Sequence, residues 1–168
     1  MKKILSVVLA AALLLCMMIP AMAEGEIKLG QSIFAAHGTK CFAVITVAMD
    51  GDKSVAAHID EFQMLSADAA TGVPNSEAMF PGEGQVLGSK RGNAEMYSTN
   101  MQKAGSTVAI DANYDAIQAH VAGKTVAELE AEVNGKEAAD MVDAVAGCTL
   151  ADTLGYINGI IAAAKNVK

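Results

Sequence analysis

This sequence is short of positive charge. Its 168 residues hold 12 Lys and Arg against 19 Asp and Glu, a formal charge of −7, and Arg91 is the single arginine. A surface of that sign repels nucleic acid and anionic lipid heads, so no nucleic acid is expected as a partner and a membrane only peripherally. The acidic residues are spread rather than blocked, which argues against a disordered acidic tail. The chain also has no Cys-x-x-Cys, no zinc-ligand spacing, no P-loop and no Ser/His/Asp order. His37, His58 and His120 lie far apart. Neither a metal centre nor a hydrolase therefore has a positive sign. No internal repeat and no second domain is visible, and the length suits one domain with a real core.

The one long apolar run stands at the start. Lys2 and Lys3 precede an apolar stretch from Ile4 to Ile19, and Ala21-Met-Ala23 has the small-x-small form of a cleavage site. This reads as a secretory signal peptide, residues 1–23, cut before Glu24, with a single domain over 24–168 outside the membrane. An uncleaved anchor is one competing reading. A lipoprotein at Cys16 is another, although Leu15 is larger than the residue that usually precedes a lipidated cysteine. Loss of Lys2 and Lys3 takes the charge from −7 to −9. Cys41 and Cys148 remain, and in an exported protein they form either one disulfide or two reduced, partly buried thiols.

Residues 24–40 read as a lead-in, with a brief helical turn within Gly30–Gly38. Cys41–Met49 is rich in β-branched and aromatic residues and predicts a strand. Asp50-Gly-Asp-Lys53 predicts a hairpin turn, and Ser54–Met64 a returning strand with Val55, Ala57, Ile59 and Glu61 on one face. Leu65–Gly88 reads as a long loop, in which Met79-Phe-Pro81 either closes over a ligand or anchors the loop on the core. A helix follows over Asn93–Lys103, stopped by Ala104-Gly105. Thr107–Ile110 reads as a short strand. Asp111 or Asn113 then caps a helix ended by Gly123, and Thr125-Val-Ala-Glu128 is a capping box for the next, stopped by Asn134-Gly135. Ala138–Val145 reads as a last strand or an extended approach. The expected class is α+β, an antiparallel sheet with helices packed on it.

The chain is organised around Asp143-Ala-Val-Ala-Gly-Cys-Thr149-Leu-Ala-Asp-Thr153, which runs into a helix from Leu154 to about Lys165. Thr149 and Asp152 have capping-box spacing, and Leu150, Leu154, Ile157, Ile161 and Ala164 share a helical face. A helix start offers unpaired N–H groups and partial positive charge, which suit a phosphate, and Gly147 lets backbone approach a ligand. Gly155 and Gly159 cost helix propensity, about 1 kcal/mol each relative to Ala. The return is close contact with a sheet or with a flat ring.

This segment resembles the flavinylation motif of the FMN-binding domain found in subunits of the sodium-pumping quinone reductase and the Rnf complex, and in Gram-positive extracellular flavoproteins. The family pattern is Asp-x-x-Ser/Thr-Gly-Ala-Thr/Ser. Asp143, Gly147 and Thr149 match it; Ala146 stands where the family has a hydroxyl, and Cys148 where it has Ala. Leu87-Gly-Ser-Lys-Arg91, Met96-Tyr-Ser98 and Gly123-Lys-Thr125 are similar to secreted members as well.

The resemblance implies an FMN-binding-domain-like fold with FMN phosphoester-linked at Thr149, installed from FAD by a separate Mg²⁺-dependent flavin transferase. Asp143 would act as a structural or transferase-recognition carboxylate, and Gly147 and Cys148 would flank the attachment point. Lys90 and Arg91, the only adjacent basic pair after the leader, would face the phosphate or the flavin N1/C2 edge, and Tyr97, with Met96, would pack on the ring. The implied function is an extracytoplasmic electron-transfer carrier between a membrane quinone-linked or other donor and an external acceptor, more a redox carrier than a stand-alone enzyme. Two other readings stay open. One is a flavin-free cell-surface or cell-wall binding module, favoured by Ala146 and Cys148. The other is a redox-responsive protein built on Cys41 and Cys148.

Overall fold

The computed structural model describes residues 25–76 and 82–168. The expected leader, within residues 1–24, and Met79-Phe-Pro81 lie outside the described residues. Four strands, β1 (Ile27–Phe34), β2 (Cys41–Asp50), β3 (Lys53–Ser66) and β4 (Gln85–Ser89), form one antiparallel sheet in the order β1-β2-β3-β4. Five helices follow among the described residues: α1 (Ala94–Lys103), α2 (Ile110–Val121), α3 (Val126–Val133), α4 (Ala138–Met141) and α5 (Thr153–Lys165). The class is α+β, as expected.

Period-two alternation fixes β2. Ala43, Ile45, Val47 and Met49 point inward and are at most 3% exposed, while Phe42, Val44, Thr46 and Ala48 alternate with them on the other face. The Asp50-Gly-Asp-Lys53 turn forms as expected, with Gly51 at φ +60°. Beyond it the register shifts. Met49 pairs with Ser54 but Ala48 pairs with Ala56, so Val55 is the extra residue of a bulge. This corrects the predicted face of β3: Ala57, Ile59 and Glu61 turn inward, while Val55 is 44% exposed.

The lead-in is also corrected. Instead of a helical turn, Ile27–Phe34 pairs with β2 from Ile27↔Asp50 to Phe34↔Ala43. Gly30 and Ser32 are its inward residues, and their small size admits α5. A Cβ on Gly30 would lie 2.0 Å from the Ala163 carbonyl oxygen, and Ser32 Oγ donates to the Gly159 carbonyl at 2.7 Å. On the helix side, a Cβ on Gly155 would meet the Ala36 carbonyl oxygen at 2.4 Å, and one on Gly159 would meet Ile45 Cδ1 at 2.5 Å. The two helix glycines therefore serve strand packing, the plainer of their two readings. Around them Tyr156, Ile157, Ile160 and Ala163 are at most 1% exposed. Each large apolar side chain so buried contributes about 1.5–3 kcal/mol.

Other local expectations divide by mechanism. α1 begins after Asn93 and stops at Ala104-Gly105, and the Thr125–Glu128 capping box is complete. Gln85–Ser89, expected as the end of a loop, is instead the edge strand β4, paired with β3 from Phe62↔Ser89 to Ser66↔Gln85. Thr107–Ile110 is no strand; it leads into α2, whose N-cap is Ala109 without a side-chain cap. Asn113 is instead buried, its amide donating to the Val108 and Ala109 carbonyls at 3.1 and 2.9 Å. Ala138–Val145 contains the short helix α4, opened by a Glu137–Asp140 capping box. The Thr149–Asp152 box does not form: Asp152 is itself the N-cap of α5, with no side-chain cap bond. Cys41 and Cys148 are both buried free thiols, so the disulfide is not made. No described helix is long and apolar enough to cross a membrane.

Candidate functional site

Residues 142–152 wrap over the start of α5. Met141, Val145 and Cys148 are pegs into the core, at most 3% exposed, and between them Asp143, Ala146 and Gly147 face solvent. Gly147 has φ +83°, a conformation that costs most residues strain and glycine none. The chain then turns outward, and Thr149 is exposed. Its position is set by its backbone: the Thr149 N–H donates to Asn113 Oδ1 at 2.7 Å. Asn113 thus uses its amide oxygen on this loop and its amide nitrogen on the start of α2. Cys148 Sγ meets Thr153 Oγ1 at 3.3 Å, and Thr153 Oγ1 donates to the Leu150 carbonyl at 2.7 Å. Cys148 is therefore a packing residue here, pointing away from the surface that Thr149 occupies.

Thr149 stands at the lip of an open basin of about 380 Å³, shared with His37, Met101, Ser106, Thr107 and Asp152. That volume is at the low end of ligand-sized pockets. His37 Nδ1 pairs with Asp152 Oδ2 across the basin. Of the lining residues, His37 is the one that can carry positive charge. Asp143 is exposed, and no hydrogen bond to its carboxylate is formed among the described residues.

Lys90, Arg91 and Tyr97 belong to a different environment. Lys90 is 1% exposed and its ammonium pairs with Glu61, which is 0% exposed. The same carboxylate oxygen, Oε2, accepts from Tyr156 OH at 2.8 Å and Tyr114 OH at 3.2 Å. Cys41 Sγ lies 3.5 Å from Oε1. The Tyr114 and Tyr156 rings meet edge to face at 5.2 Å, and Tyr97 covers the Lys90 ammonium at 4.8 Å. Arg91 is engaged as well: Nε donates to the Ile59 carbonyl at 2.6 Å, and its terminal nitrogen to Asp115 and Gln118, both at 2.9 Å. The expectation that Lys90 and Arg91 turn toward a phosphate does not match this placement, because both cations already have internal partners.

Electrostatics in this knot follow from burial. Desolvation, then the Glu61 charge, pushes the Cys41 thiol up to about 11, so it is no reactive thiolate at neutral pH. Burial raises both Tyr114 and Tyr156 well above the ordinary phenol range, with Glu61 adding to the effect. Burial alone would lower the Lys90 ammonium; the Glu61 carboxylate outweighs it and holds Lys90 above its ordinary value. The knot is thus a neutral pair, Glu61⁻ with Lys90⁺, solvated by two phenols. Its signal in the sequence was a glutamate at an inward position of a strand, Ala57-Ile59-Glu61, which asks for a buried cation.

Against protein-family models, curated proteins and solved structures, the chain finds no match.

Proposed function

We propose that this protein is an extracytoplasmic FMN-binding electron carrier, of FMN-binding-domain-like fold, with the flavin phosphate esterified to Thr149. The observation that carries the reading is the exposed Thr149 side chain, set by the Asn113–backbone bond on a loop that Gly147 opens, beside a basin able to take a ring. The residues fit the attachment end of the group. Thr149 would hold the phosphate, Gly147 keeps the approach clear, and Met101 and Leu150 offer apolar surface. When bound, the flavin supplies one- and two-electron chemistry. The chain's own contribution is to fix Thr149, to exclude water along the Met101–Leu150 side, and to set charge through His37 and Asp152. A flavin transferase would install the group, and a quinone-linked or other donor would supply electrons.

The intact mass of protein co-expressed with a flavin transferase tests this directly, read beside the visible spectrum after denaturation. The expected result is a mass gain of one FMN that is absent in Thr149→Ala. No gain, with a transferase active on another substrate, removes covalent attachment. A second reading, a flavin-free surface-binding module, is favoured by two observations: Lys90 and Arg91 are spent inside the fold, and Asp152 places a carboxylate at the basin. A colourless protein under the same conditions selects it.

A further inference from the structure

His37 is exposed, yet its turn between β1 and β2 is fixed at three points. Ala36 is buried, and its carbonyl oxygen lies 2.4 Å from where a Cβ on Gly155 would stand, so the turn is laid directly on α5. Cys41 Sγ lies 3.4 Å from the His37 carbonyl oxygen. The imidazole is bonded through Nδ1 to Asp152, the N-cap of α5, 115 positions away in the chain. A carboxylate only accepts, so Nδ1 carries the proton of the neutral ring and Nε2 the lone pair. No hydrogen bond to Nε2 is formed among the described residues, and the ring lines the same basin as Thr149.

We propose that His37, oriented by Asp152, is the base that takes the proton of the Thr149 hydroxyl, directly or through one water, and so makes Thr149 a nucleophile toward a phosphoryl group. A nucleophile, a base and a third group that orients the base are the parts such chemistry needs. Three hydroxyls share the basin with the ring. Ser106 Oγ is spent on the Val108 carbonyl at 3.0 Å. Of Thr107 and Thr149, it is Thr149 whose amide is held by the buried Asn113, at 2.7 Å, and which stands in the turn that Asp152 ends. The step is a displacement at phosphorus. The Thr149 Oγ1–P bond forms, the hydroxyl proton passes to Nε2, and the bond from phosphorus to the leaving group breaks, the leaving atom keeping the electron pair. The identity of the natural donor rests on the flavin reading: it is the pyrophosphate of FAD, and AMP leaves. The titratable groups that face His37 are Asp152 from α5 and Cys41 from β2. The Cys41 thiol stays neutral, since burial and then Glu61 push it up to about 11. The α1–α2 side presents Met101, Ser106 and Thr107, which carry no charge.

The test treats the protein expressed from the full sequence with an alkyl fluorophosphonate, from which fluoride leaves, and reads the label by intact mass and peptide mapping. Wild type is expected to be labelled on Thr149, at a rate that rises between about pH 5 and 8 as an imidazole loses its proton. His37→Gln keeps an amide to donate to Asp152 but has no base. It should slow labelling by about 100-fold or more and flatten the pH profile, which a merely structural turn would not do. Asp152→Asn should slow it as well. His58→Gln, an exposed histidine on β3, should change nothing. Far-ultraviolet circular dichroism checks that the variants fold. No label, a label on Thr107, or labelling of Thr149 that is indifferent to His37 overturns the proposal. A second arm, with FAD, Mg²⁺ and a purified flavin transferase, decides the flavin reading separately. Fluorophosphonate labelling that depends on His37, with no FMN taken up, sustains the base and removes FAD as its donor.

Discussion

The Glu61 knot and the Thr149 loop are both polar, both touch α2 and α5, and are built in opposite ways. In the knot, side chains satisfy side chains out of water: a carboxylate, an ammonium and two phenols share one oxygen. In the loop, backbone is held and the side chain is left free: Asn113 grips the Thr149 amide while the hydroxyl faces solvent. The first arrangement ties β3, the start of the β4–α1 turn, α2 and α5 into one unit. The second leaves a hydroxyl exposed on a fixed frame. Stability and presentation are therefore assigned to different residues, and substitutions should separate them.

The largest effect is expected from splitting the knot. Lys90→Met leaves Glu61 buried without its cation, which costs about 3–5 kcal/mol, because the desolvated charge keeps no partner. Equilibrium urea unfolding measures it. The double variant Glu61→Leu/Lys90→Met removes both charges and should recover most of that loss. If the double is as unstable as the single, the pair is not the source of the penalty. Tyr114 and Tyr156 then lose an acceptor, which sets the remaining deficit at about 1–2 kcal/mol.

Alkali should find the same region. Cys41, Tyr114, Tyr156 and Lys90 all have folded values above their ordinary ones. For each, the folded state holds a proton that the unfolded state has begun to lose. Their contribution is complete below the ordinary values and falls as pH rises through the folded ones. Cys41 acts between 9.0 and about 11, and the tyrosines and Lys90 act from 10.0 and 10.5 upward. Stability should thus drop with a steepening slope above pH 9, by up to about 1.4 kcal/mol per pH unit for each group. Phe at both 114 and 156 should flatten that limb. A limb unchanged in the double Phe variant would locate the alkaline sensitivity elsewhere.

A middle effect belongs to the helix that both regions share. Gly155→Ala gains about 1 kcal/mol of propensity but sets a methyl against the Ala36 carbonyl oxygen, a backbone atom. A net loss of about 1–3 kcal/mol is expected. Gly159→Ala meets the end of the Ile45 side chain, which can turn, so its loss should be smaller. The reverse ranking, by thermal unfolding, would mean that α5 can slide along β1.

How much of this was legible in the chain depends on the range of the interaction. The β2–β3 hairpin was readable because alternation and Asp50-Gly51 are local. The Thr125–Glu128 cap was readable for the same reason, whereas the Thr149–Asp152 pair had the spacing of a cap but is overridden by Asn113, which lies 36 residues away. β1 was missed because its inward residues, Gly30 and Ser32, look like turn formers until α5 is laid against them. β4 was missed because five residues at an edge carry too little pattern. Lys90 was expected at a phosphate because an adjacent basic pair stands out in an acidic chain, whereas its partner Glu61 sits 29 positions earlier. Thr149 itself was singled out from the motif, and its side chain is exposed.

The smallest effect on stability should come from the residue given the greatest functional weight. Thr149→Ala removes an exposed hydroxyl and leaves the backbone N–H that Asn113 holds, so unfolding should shift by no more than about 0.5 kcal/mol. Asn113→Ala, by contrast, strips partners from the Thr149 amide and from the Val108 and Ala109 carbonyls, and should cost about 2 kcal/mol. If presentation and stability are separate, Thr149→Ala loses the flavin mass with an unchanged unfolding curve. Asn113→Ala should lower flavin loading while the Thr149 side chain is still present, since the hydroxyl is no longer fixed. A Thr149→Ala protein that unfolds as readily as Asn113→Ala would join the loop to the fold's own stability and remove the contrast between the two regions.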